Sequence, residues 1–589
     1  MSADETPASV RERLASSETA FGVRTRTAVA LVGVTALALS VRLFGLGSRV
    51  FHWDEGRVGY WILRYAETGV WEYHAIIHGP FLYHVDKFLF GLVGPSDFVA
   101  RLPVAVVTGL LPLSAWLFRE RLDRTEMVAL ALFFAFNPVL LYYSRFMRND
   151  ALLAALMIFA LGFYVRLFDT GRARHLYAGT FALALAFTTK ENVLIYVLTW
   201  VGAAVLLLDH RFTLRADAGE RLALARGYVR SGWTAFRHWS PHLLAALFVF
   251  LAVVVFFYAP RARGVSGPGL WKAFSNPAMF PAVLEAGTVG AWEEFASTWA
   301  GSHQDHAYIP FLVHYVETLW QGAAPLTLLA GVGFVADRYR GDRPRDLVSF
   351  AFYGGFVSIF GYPIATDIQA PWATVHAVVP LAIPAAVGLA IFVRWGLDAI
   401  DDEDGVSAVL AAMVVLLVAG QVAVTAADTS FAHPQDQYLD EAGTEENMLV
   451  QFGQPADGLR PTLETVEYAI DRNDGTDVLW YGSDFYVADE TENDDWAAEG
   501  NWYDRLPVPW YTELYGAEVD STNDLADVES TAAPVVVARA DDRAGVESRL
   551  DGYRAFEHEL TVHGSETVFF VDEEYVERAD GADPDGDDE

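Results

Sequence analysis

Long apolar runs, each bounded by charged turns, dominate the first three quarters of the chain. Runs of roughly 17–25 apolar residues predict membrane-spanning helices. Eleven are read, near 27–46, 99–118, 126–144, 149–168, 175–189, 192–208, 241–259, 311–335, 347–363, 372–396 and 405–427. Lys190-Glu191-Asn192 alone divides the fifth from the sixth, and reading the two as one helix would reverse every later loop. The positive-inside bias arbitrates. With eleven spans, residues 1–26, the Arg119–Arg124 loop, Arg172–Arg174, the Arg-rich stretch 211–237, Asp337–Arg345 and Arg394–Gly405 share the cytoplasmic side. Merging the pair would put the last three outside, so eleven spans are expected.

The opposite, outer face then receives segments 47–98, 145–150, 190–192, 260–310 and 364–371. Segment 47–98 carries Trp61, Tyr65, Trp71, Tyr73, Tyr83 and Phe88, an aromatic pattern that suits helices lying in the interface. Segment 260–310 is similar, with Trp271, Trp292 and Trp299. Beyond 427 the apolar runs stop. A polar linker leads to short β-like runs (Asp477–Tyr481, Pro534–Ala538, Glu566–Val571) with helical or turn segments such as 541–551 between them, which predicts a small α/β domain. The expected organisation is an N-terminal cytoplasmic segment 1–26, a transmembrane domain 27–427, an extracytoplasmic acidic α/β domain 428–579, and a disordered acidic tail 580–589.

Charge sharpens this division. Of 589 residues, 428–589 hold 43 acidic side chains against 8 arginines and no lysine, whereas 1–427 hold 33 of each sign. The net charge of −35 therefore belongs to the C-terminal domain. An acidic, lysine-poor soluble surface fits a halophile, because molar salt screens carboxylate repulsion over a few ångströms. Absence of cysteine excludes disulfides, thiolate nucleophiles and cysteine metal sites. The first span follows a polar N-terminus and lacks a small-residue cleavage signature, so it reads as an uncleaved anchor.

Chemistry-bearing residues gather on the outer face. Phe51-His52-Trp53-Asp54-Glu55-Gly56-Arg57 follows the first span, and its carboxylates beside aromatic rings suit a general base or a metal ligand; an acidic loop facing brine is the plainer reading. Arg145 and Arg148 occupy the outer turn before the fourth span, against the prevailing charge bias. They suit an anionic ligand such as a phosphate, or a lipid headgroup, while Asp150 heads the next helix and is also a candidate N-cap. Thr188-Thr189-Lys190-Glu191-Asn192 places one of only three lysines beside a glutamate at membrane depth, either as a site or as a pair capping two helix ends. His78-Gly79-Pro80 with His84 and Lys87 forms a turn into an interfacial helix. His303-Gln304-Asp305-His306, with His314, has metal-like spacing, but a polar interfacial loop explains it better. Thr366, Asp367 and Trp372 close the outer side between the ninth and tenth spans. Walker loops, dinucleotide fingerprints and Gly-x-Ser-x-Gly elbows are absent, and the charge argues against nucleic acid.

An Asp-Glu pair after the first span, a Gly-Pro turn, Arg145-x-x-Arg148-Asn149-Asp150 after the third span and Thr189-Lys190-Glu191 after the fifth occur in that order. This resembles the GT-C class of polytopic glycosyltransferases, in its protein-mannosyltransferase and aminoarabinose-transferase branch. Within it, the chain is most similar to the haloarchaeal flippase-activity-associated membrane family of the N-glycosylation pathway. The likeness spans roughly 27–400 and is densest over 50–195. It implies a polyprenyl (dolichyl) phosphate-linked sugar as donor, used on the outer face of the cell membrane, with a glycan or protein acceptor. It further implies Asp54 as general base, Glu55 orienting it, and Arg145, Arg148 and Lys190 on the leaving phosphate. His52, His78, Lys87, Asp150 and Glu191 complete the expected substrate-binding set. One departure from the branch stands at the turn: its lysine before the prolines is replaced by His78-Gly79, with Lys87 one to two helical turns later. No cofactor follows from the residues; a divalent metal is left open. The rival function is a non-catalytic handler of lipid-linked sugar that assists its translocation. A secondary transporter, which would show paired broken helices near the midplane, fits less well.

Overall fold

The computed structural model describes residues 10–75, 79–214, 221–261, 267–300, 307–340, 343–366, 368–435, 447–488, 490, 500–561, 564 and 566–581. His78, the 303–306 run, Asp367 and the acidic tail beyond 581 lie outside this set, as do residues 1–9 of the N-terminal segment, 215–220 of the Arg-rich stretch and 262–266 of segment 260–310.

The first outer segment separates span α1 (Val10–Leu43) from span α4 (Asp97–Gly109) and holds two amphipathic helices, α2 (Trp53–Thr68) and α3 (Phe81–Val93). Then follow α5 (Arg124–Phe136) and α6 (Pro138–Tyr143), broken at Asn137–Pro138, and α7 (Asn149–Thr170), α8 (Ala173–Phe187), α9 (Val193–Leu214) and α10 (Arg221–Tyr258). The 260–310 segment contributes three short helices, α11 (Leu270–Ser275), α12 (Phe280–Glu285) and α13 (Ala291–Ala300). Four further spans complete the membrane domain: α14 (Tyr308–Arg340), α15 (Asp346–Ala365), α16 (Val375–Asp401) and α17 (Gly405–Ala427). Among the described residues, eight helical segments are long and apolar enough to cross a membrane unaided, and Val193–Asp209 is a shorter apolar helix. The other two expected spans are the broken α5–α6 unit and the 15-residue α8. Each of the eleven expected spans thus coincides with helix, and the break at Lys190 is present.

The arginine-bearing loops meet at one end of the bundle. Arg345 reaches Glu126 at 2.8 Å and Asp337 at 2.5 Å, Arg121 reaches Asp169 at 2.8 Å, and Arg394 pairs with Asp123. Asp123 and Glu126 also close a capping box on α5, so the same carboxylates satisfy helix-end amides and tie three loops together. The Asp54, Arg148 and Lys190 segments lie at the opposite helix ends, as the alternation of spans requires.

The C-terminal region folds into a five-stranded sheet of order β2-β1-β3-β5-β4: β1 (Val478–Tyr481), β2 (Val519–Thr522), β3 (Val535–Arg539), β4 (Tyr553–Glu559) and β5 (Glu566–Asp572). β1 runs parallel to β2 and β3, and β5 antiparallel to β3 and β4. Helices α18 (Leu459–Ile470), α19 (Gly500–Tyr503), α20 (Val508–Tyr515), α21 (Leu525–Thr531), α22 (Arg543–Glu547) and α23 (Glu573–Gly581) accompany it. The three strands expected from sequence are all present. β2 and β4 escaped notice because each mixes polar and apolar residues without a long β-branched run.

This domain is fastened to the first outer segment. Asp97, nearly buried at the start of α4, accepts hydrogen bonds from Trp510 Nε1 and Tyr511 Oη at 2.9 Å each and pairs with Arg460. Trp53 Nε1 donates to Tyr503 O at 3.0 Å, and Phe51 stacks on Trp510 with ring centroids 4.8 Å apart. Such contacts combine apolar burial with satisfied buried polar groups, so the α/β domain caps the end of the bundle that carries Asp54.

Candidate active site

His52 caps the N-terminus of α2. Its Nδ1 accepts from Asp54 N at 3.0 Å, while the Glu55 carboxylate accepts from His52 N at 3.0 Å. Two acids in the first turn suit the positive end of the helix dipole. Consecutive helix positions diverge by about 100°, so the two carboxylates face different surroundings.

Glu55 turns inward and is fully buried. Arg101 grips it through two 2.8 Å bonds, Met147 N donates at 2.6 Å, and Arg49 stands 3.5 Å away. Burial disfavours its charge, but Arg101, Arg49 and the backbone amide of His52 together hold the carboxyl below the usual glutamate range. Both of its oxygens accept hydrogen bonds from Arg101, and Met147 N and His52 N take one oxygen each. The expected role of orienting Asp54 thus becomes that of a structural hub, which ties the loop after α1 to α4 and to the turn before α7.

Asp54 keeps 13% of its side chain exposed. It pairs with Arg148, and His52 Nδ1 lies 3.7 Å from its Oδ2. Arg148 is buried, lies over the Trp372 ring at 4.4 Å and donates to Gln451 Oε1 at 2.9 Å. Burial pulls its guanidinium down to about 10, which leaves it charged at neutral pH. Two residues on, Asp150 accepts from Lys190 Nζ through both oxygens at 3.0 Å and contacts His376 Nε2 at 3.2 Å. His376 Nδ1 is 3.0 Å from Tyr196 Oη, and its ring stacks on Tyr362 at 4.6 Å. The Lys190 break is brought here by the Gly79–Pro80 turn, whose Gly79 N and Phe81 N donate to Thr189 O and Thr188 O at 2.8 Å. A Cβ on Gly79 would stand 2.5 Å from Thr188 O, so this close approach requires glycine.

Other expected residues lie elsewhere. Arg145 does not join Arg148 on a common ligand: it donates to the carbonyls of Val41, Arg42, Phe44 and Gly45 at 2.7–3.1 Å, capping α1. The freed carbonyls of a helix end form an acceptor cluster that a guanidinium fork fits. Lys87 stands 4.4 Å over the Tyr65 ring. Glu191 accepts from Tyr73 Oη at 2.7 Å and lines a cavity of 250 Å³ with Tyr258, Phe187, Trp292 and Phe295; burial raises its carboxyl above the usual range. Among the described residues, no three His, Asp or Glu side chains converge as a metal would require.

Sequence reading missed four participants. Arg101 and His376 lie inside expected spans, and an ionisable residue in a span is a signal that could have flagged both. Arg49 and Gln451 carry no local signature. Gln451 reaches the site only because the C-terminal domain folds back over 303 residues of chain.

Comparison with known proteins bears on the fold and on two segments of the chain. Residues 77–225 match the family of dolichyl-phosphate-mannose-protein mannosyltransferases, and residues 459–572 match the Agl23 flippase-associated protein C-terminal domain. No curated protein matches the chain. Among solved structures, ArnT from Cupriavidus metallidurans in the apo state is similar with a TM-score of 0.54 at 16% identity, covering 91% of this chain and 97% of that one. The same protein bound to undecaprenyl phosphate gives 0.53 at 15% identity, with the same coverages. The chain is therefore a polytopic membrane protein with the GT-C glycosyltransferase fold, similar over 77–225 to the protein mannosyltransferases and in its C-terminal domain to the Agl23 flippase-associated proteins.

Proposed function

We propose that this protein transfers a sugar from a polyprenyl (dolichyl) phosphate donor to an acceptor hydroxyl or amide on the outer face of the membrane. The observation that carries the reading is the pairing of Asp54 with Arg148, which stands two residues before Asp150 of the Lys190–Asp150–His376 cluster and is covered by Gln451 from the segment that leads into the C-terminal domain. A carboxylate and a fixed guanidinium in contact supply both ends of such a reaction. Donor phosphate draws Arg148 to itself, which releases Asp54 from its partner. Asp54 then takes the acceptor's proton as the acceptor attacks the anomeric carbon. The bond from that carbon to the phosphate oxygen breaks, and the lipid phosphate leaves with its charge held by Arg148. Lys190 acts here through Asp150, keeping the cationic side of the niche in place. ArnT, similar in fold, is described with bound undecaprenyl phosphate, which favours a polyprenyl phosphate for this chain.

A second reading has its own support in the C-terminal match to flippase-associated proteins: a protein that binds lipid-linked sugar and assists its translocation. Binding and turnover separate the two. Purified protein in molar salt is expected to bind a long-chain polyprenyl-phosphate sugar and release its sugar in the presence of acceptor. Arg148→Ala is expected to weaken binding by about tenfold or more, the size of one lost charge-assisted contact, and Lys190→Ala to weaken it less, by loosening Asp150. Unchanged binding in both variants would remove the phosphate assignment, and binding without turnover by the native chain would favour the translocation role.

The site and the acidic domain lie outside the cell in this reading, opposite the end where Arg121, Arg345 and Arg394 gather. A protease added to intact cells should clip the C-terminal domain; complete protection in cells, with cleavage after lysis, would reverse the orientation.

A further inference from the structure

The residues between the last span and the α/β domain form more than a linker. The stretch Asn447–Gln454 lies along the site and is held at several points. Met448 N donates to Gln321 Oε1 at 2.7 Å, Leu449 O accepts from Tyr143 Oη at 2.6 Å, Gly453 O accepts from Trp53 N at 2.8 Å, and Gln454 Nε2 donates to Val50 O at 3.2 Å. At Gly453 the backbone passes so near the site that a Cβ would stand 2.9 Å from His52 Nε2. Gln451 sits mid-way between these anchors with no exposed surface.

Its amide has only one sensible orientation. Arginine offers donors alone, so the atom facing Arg148 Nη1 is Oε1, and Nε2 points elsewhere. Among the described residues that buried Nε2 has no hydrogen-bond partner, and the same holds for Nε of Arg148. Two buried donors without a partner on two hydrogen-bonded side chains call for a further acceptor, because a buried polar group left unpaired disfavours the folded state. A rigid, already desolvated donor pair beside a cation is what an anionic oxygen would complete.

We propose that Gln451 is a ligand-binding residue of the site, donating Nε2 to a phosphoryl oxygen of the lipid phosphate while its Oε1 holds Arg148 for the same group. This rests on the reading of the niche as a polyprenyl-phosphate site, and makes the C-terminal domain a contributor to donor recognition. The segment thereby couples docking of that domain to affinity for the phosphate.

The test uses the full chain in lipid nanodiscs, with a long-chain polyprenyl monophosphate and the corresponding uncharged polyprenol as probes. Gln451→Glu keeps the size and the contact to Arg148 but replaces the donor with an anionic acceptor. Binding of the monophosphate should fall by a hundredfold or more, while that of the polyprenol stays within twofold. Gln451→Met, which fills the same space without a donor or a charge, should lose about tenfold for the monophosphate alone. If Gln451→Glu fails to fold, as thermal unfolding would reveal, Gln451→Met is read alone, and native-like monophosphate binding in it overturns the proposal. Monophosphate binding equal to native in the folded variants overturns the proposal, because a residue that merely holds Arg148 would be replaced well by glutamate. Equal losses for both probes also overturn it, since they mark a packing role. A native chain that binds polyprenol but not the monophosphate removes the parent reading of the site, an outcome recognisable without any variant.

Discussion

Asp54→Asn should abolish sugar transfer while leaving donor binding intact. A positioned general base contributes about 10²- to 10⁴-fold to rate, and asparagine cannot take a proton. The substitution keeps the shape of the side chain and preserves the cap, since the Asp54 contact to His52 Nδ1 uses the backbone amide. It removes the carboxylate that competes with donor phosphate for Arg148, so affinity for the polyprenyl-phosphate sugar should be equal to native or tighter. Single-turnover transfer and equilibrium binding, measured on the same preparation in molar salt, check the two halves. Full activity in the variant would take Asp54 out of the chemistry. A parallel fall in binding would mean that Asp54 organises the niche rather than accepting a proton.

Glu55→Ala should act quite differently, on stability rather than on turnover per folded molecule. Glu55 is the shared acceptor for Arg101, Arg49, Met147 N and His52 N, with no exposed surface. Removing it strands two buried guanidinium groups and two backbone donors. Breaking a buried pair in this way typically destabilises by about 3–5 kcal/mol. Most of the protein should be lost from the membrane or unfold well below the native temperature. Glu55→Gln, which keeps the acceptor oxygen and loses the charge, should fall between. Neighbouring carboxylates thus separate: Asp54→Asn hits rate, Glu55→Ala hits folding. A well-folded Glu55→Ala protein of native thermal stability would refute the hub. Linkage gives a further sign. The folded-state carboxyl lies below its ordinary value, so its stabilisation is complete above about pH 4.3, the ordinary glutamate pKa, and is lost as pH falls through the lower folded value.

Two adjacent acids look alike in a sequence because their difference is angular. One helix step rotates Glu55 into the contact between α2 and α4 and leaves Asp54 partly exposed against Arg148. Two arginines in one turn look alike for the same reason. Arg145 is captured by the carbonyls that end α1, a hundred residues earlier in the chain, whereas Arg148 reaches the space beneath Trp372. Neither fate is encoded within a few residues of the arginine.

What the chain determines by itself is whatever depends on local periodicity and on the bilayer. Apolar runs of membrane length, arginine clusters on alternate loops and the collapse of hydropathy after 427 suffice for the spans, the sidedness of the polar clusters and the separate acidic domain, because lipid imposes length and charge rules residue by residue. The segments of the candidate site were equally legible: Asp54, Arg148, Asp150 and Lys190 all stand at span ends on one side of the bundle, where a polar cluster is conspicuous. The partners of those residues were decided only by tertiary structure. Arg101 on Glu55, His376 on Asp150 and Gln451 on Arg148 join positions 46, 226 and 303 residues apart. Such pairings depend on how helices cross and how the C-terminal domain folds back, and no periodicity within a short window carries that information.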